Sequence, residues 1–433
     1  MTDPLAQPLP LPCGAVIPNR LCKAAMTEGL GDAQLRATDR HVRLYRAWSE
    51  GGAGLHITGN VMVDRHVIER PGNVAIDPSH PPSVDAQARA RLRAWSAAGT
   101  VGGNGLWMQI SHAGRQSPRY ATRQPVGPSD VQLELMGNYA RPRALREDEI
   151  LALVQRFADV AVIARDTGFT GVQVHGAHGY LLSSFLSPVT NRRSDAWGGA
   201  LANRARFLVE TVRAVRKAVG RDFPVSVKLN SDDFRKGGFS SADCLGVVQL
   251  LNGEGLDLLE ISGGNYEQPR LLGLSGRDDD AVQVRESTKV REAYFLDYAV
   301  AIRKVALMPM MVTGGFRTRE GMEAALASGD TDLIGLGRPF CTHPDVARRL
   351  LARETDELPA FERRLHLRPR GLLSPASPWL LPKMVNVLGA QGWYYQQMDR
   401  LADGRAPDLS RGMLRSFARY WWNDLSKAAR LRR

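Results

Sequence analysis

Thr170-Gly171-Val172-Gln173-Val174-His175-Gly176-Ala177-His178-Gly179-Tyr180 begins as a short run rich in β-branched residues and ends in two imidazoles and a phenol. A run this short, bounded by glycine, reads as a buried strand, and the polar group after it reads as the loop leaving its carboxyl end. The same grammar recurs along the chain. Counting this one, eight such runs occupy 20–26, 53–59, 105–111, 170–175, 224–230, 257–263, 309–314 and 332–337. Between several of them lie helical patterns with stop signals, such as 203–219 before Gly220 and 319–327 before Gly329. Strands alternating with helices imply parallel pairing, and eight of them imply a closed α/β architecture, the (β/α)8 TIM barrel.

A barrel of this kind fills its interior with side chains, so its chemistry belongs on the loops at the carboxyl ends of its strands. The runs end in Ala25-Met26-Thr27, Thr58-Gly59, Gln109, His175, Lys228, Ser262-Gly263-Gly264, Thr313-Gly314-Gly315 and Gly337-Arg338. Any one of these is ordinary turn chemistry; eight in register point to a site. His175 and His178 could hold zinc only with a third ligand, and no nearby Cys, Asp or Glu has a suitable spacing, so no metal is expected. As paired donors they suit an electron-rich oxygen, while Tyr180, a phenol with an ordinary pKa of about 10, can supply a proton. Gly314, Gly315 and Gly337 let backbone N–H groups close on a phosphate, and Arg338 could complete that site. Lys228 is a buried-strand cation that needs an anionic partner, either a ring or phosphate or a carboxylate such as Asp232 or Glu260. Gln109 suits the edge of a flavin pyrimidine or a satisfied place in the barrel wall.

Composition sets the frame. A 43% hydrophobic share with 24% charged residues is that of an ordinary globular chain with a large core. Residues 8–18 read as a hairpin plug closing the barrel's amino end, 113–146 and 265–291 as long lids, and 349–433 as a mostly helical extension after a barrel domain spanning 1–348. The extension carries Trp393-Tyr394-Tyr395 and Tyr420-Trp421-Trp422, which read as packing surfaces against the barrel or a neighbouring subunit, consistent with a homo-oligomer. The net charge of +12 reads as a solvated basic surface, with neither nucleic acid nor membrane expected as a partner. Cys13, Cys22, Cys244 and Cys341 form no Cys-x-x-Cys pair, and with no signal-peptide pattern at the start the expected setting is cytoplasmic.

Taken in order, these residues resemble the old yellow enzyme family, also called the NADH:flavin oxidoreductase or ene-reductase family. The most specific stretch runs from His175-Gly-Ala-His178-Gly-Tyr180-Leu-Leu through Phe185-Leu-Ser-Pro, Asn191-Arg, Asp195 and Trp197-Gly-Gly to Asn203-Arg-Ala-Arg-Phe207, and the resemblance covers about residues 8–350. It implies FMN across the barrel mouth, with Ala25, Met26, Thr27 and Gly59 beside the ring and Gln109 at its pyrimidine edge. Lys228 would approach the N(1) side, and Gly314, Gly315, Gly337 and Arg338 would hold the phosphate. NADH or NADPH would deliver hydride, His175 and His178 would bind a small substrate's oxygen, and Tyr180 would protonate the α carbon of an activated C=C bond. Two departures stand out: Lys228 replaces the family's usual arginine, and Ala25 its usual proline. Alternatives within the resemblance are an NAD(P)H oxidase, a quinone reductase or an amine-demethylating relative. An RNA-directed FMN barrel such as a tRNA dihydrouridine synthase would need a cysteine acid that this chain does not offer in a suitable place.

Overall fold

Each apolar run becomes a parallel strand in the computed structural model, which describes residues 3–135, 137–263 and 296–431. The strands are β1 Leu21–Lys23, β2 Leu55–Ile57, β3 Gly105–Ser111, β4 Gly171–Gly176, β5 Val225–Asn230, β6 Leu258–Ser262, β7 Met310–Thr313 and β8 Leu333–Leu336. Neighbours in sequence are neighbours in the sheet, and Ile334 of β8 pairs with Leu21 of β1, closing the barrel. Most strands stop short of the runs read from sequence. β1 ends at Lys23, so Ala25, Met26 and Thr27 already belong to the loop. The expected helices also form, as Leu201–Val219 before Gly220 and Arg319–Ala327 before Ser328 and Gly329.

The barrel's lower interior is apolar and plugged. Leu9–Pro10 pairs antiparallel with Val16–Ile17. Leu9, Leu11 and Ile17 then form one buried cluster with Cys22, Leu55, Ile57, Trp107, Leu258, Met311 and Leu333 from the strands. The connection 113–146, read as a lid without structure of its own, carries a 3-10 turn at Gly114–Gln116 and a small parallel ladder of Val126–Gly127 with Arg143–Ala144. The other expected lid, 265–291, lies outside the described residues, as does Gly264.

Two long helices, Leu380–Ala402 and Met413–Arg430, make up nearly half of the tail and cross closely at small residues. A Cβ on Gly392 would lie 2.7 Å from Tyr420 Cβ and 2.9 Å from the Ser416 carbonyl oxygen, so glycine is required there. Charged groups fasten the pair to the barrel's outer layer and rim. Arg40 reaches Asp399 at 2.9 Å and Asp403 at 2.8 Å, and Lys427 donates to the Gly29 carbonyl at 2.6 Å. Arg70 lies 2.6 Å from the fully buried Asp424, with its guanidinium 3.9 Å from the Tyr395 ring. Asp424→Ala would leave that guanidinium buried and unpaired. The expected loss is about 3–5 kcal/mol of stability, read as a lowered urea midpoint. A shift below about 0.5 kcal/mol would show that this pair does not hold the tail in place.

Candidate active site

One level above the apolar plug the barrel interior turns polar, because the inward residues two positions on from Trp107 and Leu258 are Gln109 and Glu260. Gln109 Nε2 donates to Gln173 Oε1 at 2.7 Å, and Gln173 Nε2 donates to Glu260 Oε2 at 2.8 Å. The second bond joins β4 to β6, which are not neighbours, so it crosses the interior. Glu260 Oε1 in turn lies 2.8 Å from Lys228 Nζ, and both side chains are almost wholly buried. The partner of Lys228 is therefore Glu260; Asp232 instead accepts from the Phe234 and Ser241 N–H groups. The contact is an ion pair, and Glu260 Oε1 has no aligned hydrogen-bond donor among the described residues.

Above this floor stand the histidines. His175 is the β4 residue paired in register with Lys228, and its Nδ1 is 3.2 Å from Ser111 Oγ. Its Nε2 is 3.3 Å from His178 Nδ1, and His178 Nε2 is 2.8 Å from Ser262 Oγ. The two rings thus bond to each other within a relay from β3 to β6, where the sequence suggested two donors side by side. His178 has φ of 61°, a left-handed conformation costly for a side chain of this size. Its N–H donates to Asn230 Oδ1 at 3.0 Å, and Asn230 Nδ2 donates to Asp233 at 3.0 Å, so the end of β5 holds the strained turn. Tyr180 precedes the helix Leu181–Leu186 and packs its ring 4.8 Å from that of His175.

Across the mouth, the loops after β1 and β2 interlock. A side chain at Gly59 would collide with the Met26 carbonyl and the Glu28 carboxylate. Glu28 Oε1 accepts the Gly59 N–H at 2.9 Å and the Tyr45 hydroxyl. Beneath them Lys23, fully buried, donates to the Ile57 carbonyl at 2.6 Å and lies 4.3 Å from the Trp48 ring. Burial pushes its ammonium down to about 8, against the pull of Glu28. Thr27 Oγ1 and Asn60 Nδ2 both donate to Glu69 Oε2 at 2.7 Å.

The third side is the glycine cradle after β7 and β8. Gly314 and Gly315 have φ of 107° and 90°, which only glycine adopts readily in succession. Gly337 faces Met26, whose Sδ would be 3.6 Å from a Cβ placed there, so this side joins the β1 loop. Arg338 is half-exposed and 3.6 Å from Glu362 of the tail, which also pairs with Arg317. Burial works against the Glu362 charge, yet Arg317 and the Tyr394 hydroxyl hold its carboxyl below the ordinary range. Thr313 Oγ1 is buried there with no hydrogen-bond partner among the described residues. An orphaned hydroxyl, paired left-handed glycines and a half-exposed arginine fit a bound phosphate, and the Gln109 and Lys228 floor beside Ala25 and Met26 fits a flavin ring. No three His, Cys, Asp or Glu side chains among the described residues gather to hold a metal.

The residues singled out from sequence thus lie around one end of the barrel. Sequence reasoning did not single out Gln173, Glu28 and Glu69. Gln173 had a usable signal, since it shares a strand face with His175. The other two act through contacts between loops, which spacing does not reveal.

Burial, then His178 and Lys228, hold the His175 imidazole well below its ordinary value of 6.5, and burial with Lys228 does the same to His178. An unfolded chain binds protons near pH 6.5 that these folded rings refuse, so their stabilisation is complete above about pH 7 and is lost as pH falls. His41 and His56, pushed down to about 3 by burial, act in the same sense. Replacing His175 and His178 together by Asn should therefore flatten, without abolishing, the decline in Tm between pH 7.5 and 5.5. An unchanged slope would mean that these imidazoles are not held neutral.

Residues 5–357 match the family described as NADH:flavin oxidoreductase / NADH oxidase. A NADH-dependent flavin oxidoreductase of Talaromyces variabilis is 34% identical over 92% of this chain and 98% of its own length. Another protein of that description, from Neonectria sp., is 37% identical over 78% of this chain, but the match spans only 46% of that longer protein. Among solved structures, an old yellow enzyme homologue from Zymomonas mobilis superposes with a TM-score of 0.67 at 25% identity, over 83% of this chain and 95% of its own.

Proposed function

This chain belongs to the NADH:flavin oxidoreductase / NADH oxidase family, the old yellow enzyme family, and from that premise we propose that it reduces activated C=C bonds of small enones, enals, nitroalkenes or quinones. The observation that carries the proposal is the gathering of His175, His178 and Tyr180 above the Lys228–Glu260 pair, on the rim that also bears the glycine cradle. FMN held there would accept hydride from a nicotinamide and pass it to the substrate's β carbon. NADH is the favoured donor, in keeping with the description of the Talaromyces relative.

The protein's own groups do the rest. A substrate carbonyl or nitro oxygen competes for the His175–His178 bond, at 3.3 Å the longest in the relay, and takes the imidazole N–H groups as donors while charge builds on it. Because both rings are held neutral, they donate hydrogen bonds without adding a full positive charge. Tyr180, packed against His175, delivers its hydroxyl proton to the α carbon. Gln109 and Lys228 would hold the pyrimidine edge of the ring, Ala25, Met26, Thr27 and Gly59 would border it, and Gly314, Gly315, Gly337 and Arg338 would hold its phosphate.

Anaerobic stopped-flow tests the assignment. Reduced protein should reoxidise with 2-cyclohexenone or maleimide well above its rate with oxygen. Tyr180→Phe should slow that step about 100-fold or more while leaving reduction by NADH within about twofold. Reoxidation no faster with the alkenes than with oxygen would favour an oxidase instead. Equal loss in both half-reactions would remove Tyr180 from the proton-donor role.

A further inference from the structure

Glu69 is a carboxylate at the mouth that the roles above leave unused. Its bonds from Thr27 and Asn60 place it over the carboxyl ends of β1 and β2, and it is only partly buried. Among the described residues, no lysine, arginine or histidine nitrogen lies within 4.0 Å of it. Its neighbour Arg70 is turned away, with its charge matched by Asp424 at 2.6 Å. Asn60, 6% exposed, gives its N–H to Glu69, and its own Oδ1 has no hydrogen-bond partner. A charged acceptor and an orphaned amide oxygen therefore stand together, and a carboxylate so placed attracts a cation that brings its own N–H donors. Its field also reaches the connection after β3, where burial and then Glu69 hold the Tyr139 phenol above its ordinary range.

We infer that Glu69, with Asn60 beside it, recognises a protonated amine on the substrate, at the β1–β2 side of the mouth, away from the histidines that take its oxygen. The inference rests on the reading of the mouth under Proposed function and deepens it by naming a substrate class: an activated alkene that also carries an ammonium group, for which an ammonium-bearing phenol is the binding probe. The partly exposed setting of Glu69 lets such a group approach from solvent, whereas on the histidine side Glu260 is buried and paired with Lys228 and Asp233 is buried and bonded to Asn230.

The test uses FMN-loaded, full-length protein titrated at pH 7 with 4-ethylphenol and with tyramine, which share a phenol and differ in an ammonium. Each affinity is read from the change in flavin absorbance. Tyramine should bind about tenfold more tightly than 4-ethylphenol, Glu69→Gln should bring the two within about twofold, and Glu69→Asp should keep part of the preference. Equal affinities in the unmodified protein, or a preference that survives in Glu69→Gln, would overturn the assignment. Equal affinities would do so even if the glutamine variant failed to load flavin. A flavin that responds to neither phenol would overturn the paired-histidine reading and this inference with it, whereas a response to both without preference would reject Glu69 alone.

Discussion

The arrangement depends on one buried ion pair. Lys228 and Glu260 face each other at 2.8 Å inside a closed barrel, where neither charge reaches water. Removing two ions from solvent costs several kcal/mol each, and their attraction offsets that only when the remaining valences are also met. Gln173 meets one of them and is itself fixed by Gln109, so four strands contribute to a single polar floor. With the floor set, register does the positioning. His175 pairs beside Lys228, Ser262 lies two residues beyond Glu260, and the histidine relay spans the level above. A lysine in place of the planar arginine common in the family suits this geometry, because a point charge can serve a carboxylate and still offer donors elsewhere.

The rim over β1 and β2 is organised differently, by parts remote in sequence. Glu28 links the loop after β1 to Gly59, and Arg70 carries the loop after β2 onto Asp424 of the last helix. Residues near 27, 69 and 424 are thus linked through a chain of contacts, although nearly the whole chain separates them. Glu362 extends the same logic to the glycine cradle after β7 and β8, where it lies against Arg317 and Arg338. The tail therefore bears on two of the three sides of the mouth.

Much of this was legible in the sequence because local rules and tertiary packing agreed. The barrel showed itself as eight β-branched runs, and its business end as the polar groups closing them. Strand ends were overread, as at β1, because the residues that turn outward into the mouth are themselves apolar. For Lys228 the sequence left a ring, a phosphate and the carboxylates Asp232 and Glu260 open, and only register decides for Glu260 as the partner within the chain, which β5–β6 pairing places directly opposite. The mutual bond of His175 and His178 was not legible, since it accompanies a left-handed turn at His178 that sequence does not locate, although histidine visits that conformation more often than most residues. Glu28 and Glu69 were equally hidden, as ordinary acidic residues in loops whose meaning comes from what another loop brings to them.

On the proposed assignment, one rim of the barrel holds both a nucleotide phosphate and a substrate oxygen, at opposite sides of the Lys228 floor. Diffraction from crystals grown with FMN and soaked with p-hydroxybenzaldehyde addresses that claim directly. Density is expected for the phosphate against Gly314, Gly315, Gly337 and Arg338, and for the phenolate oxygen within hydrogen-bonding distance of His175 and His178. A phosphate bound elsewhere, or a phenolate oxygen touching neither imidazole, would contradict it.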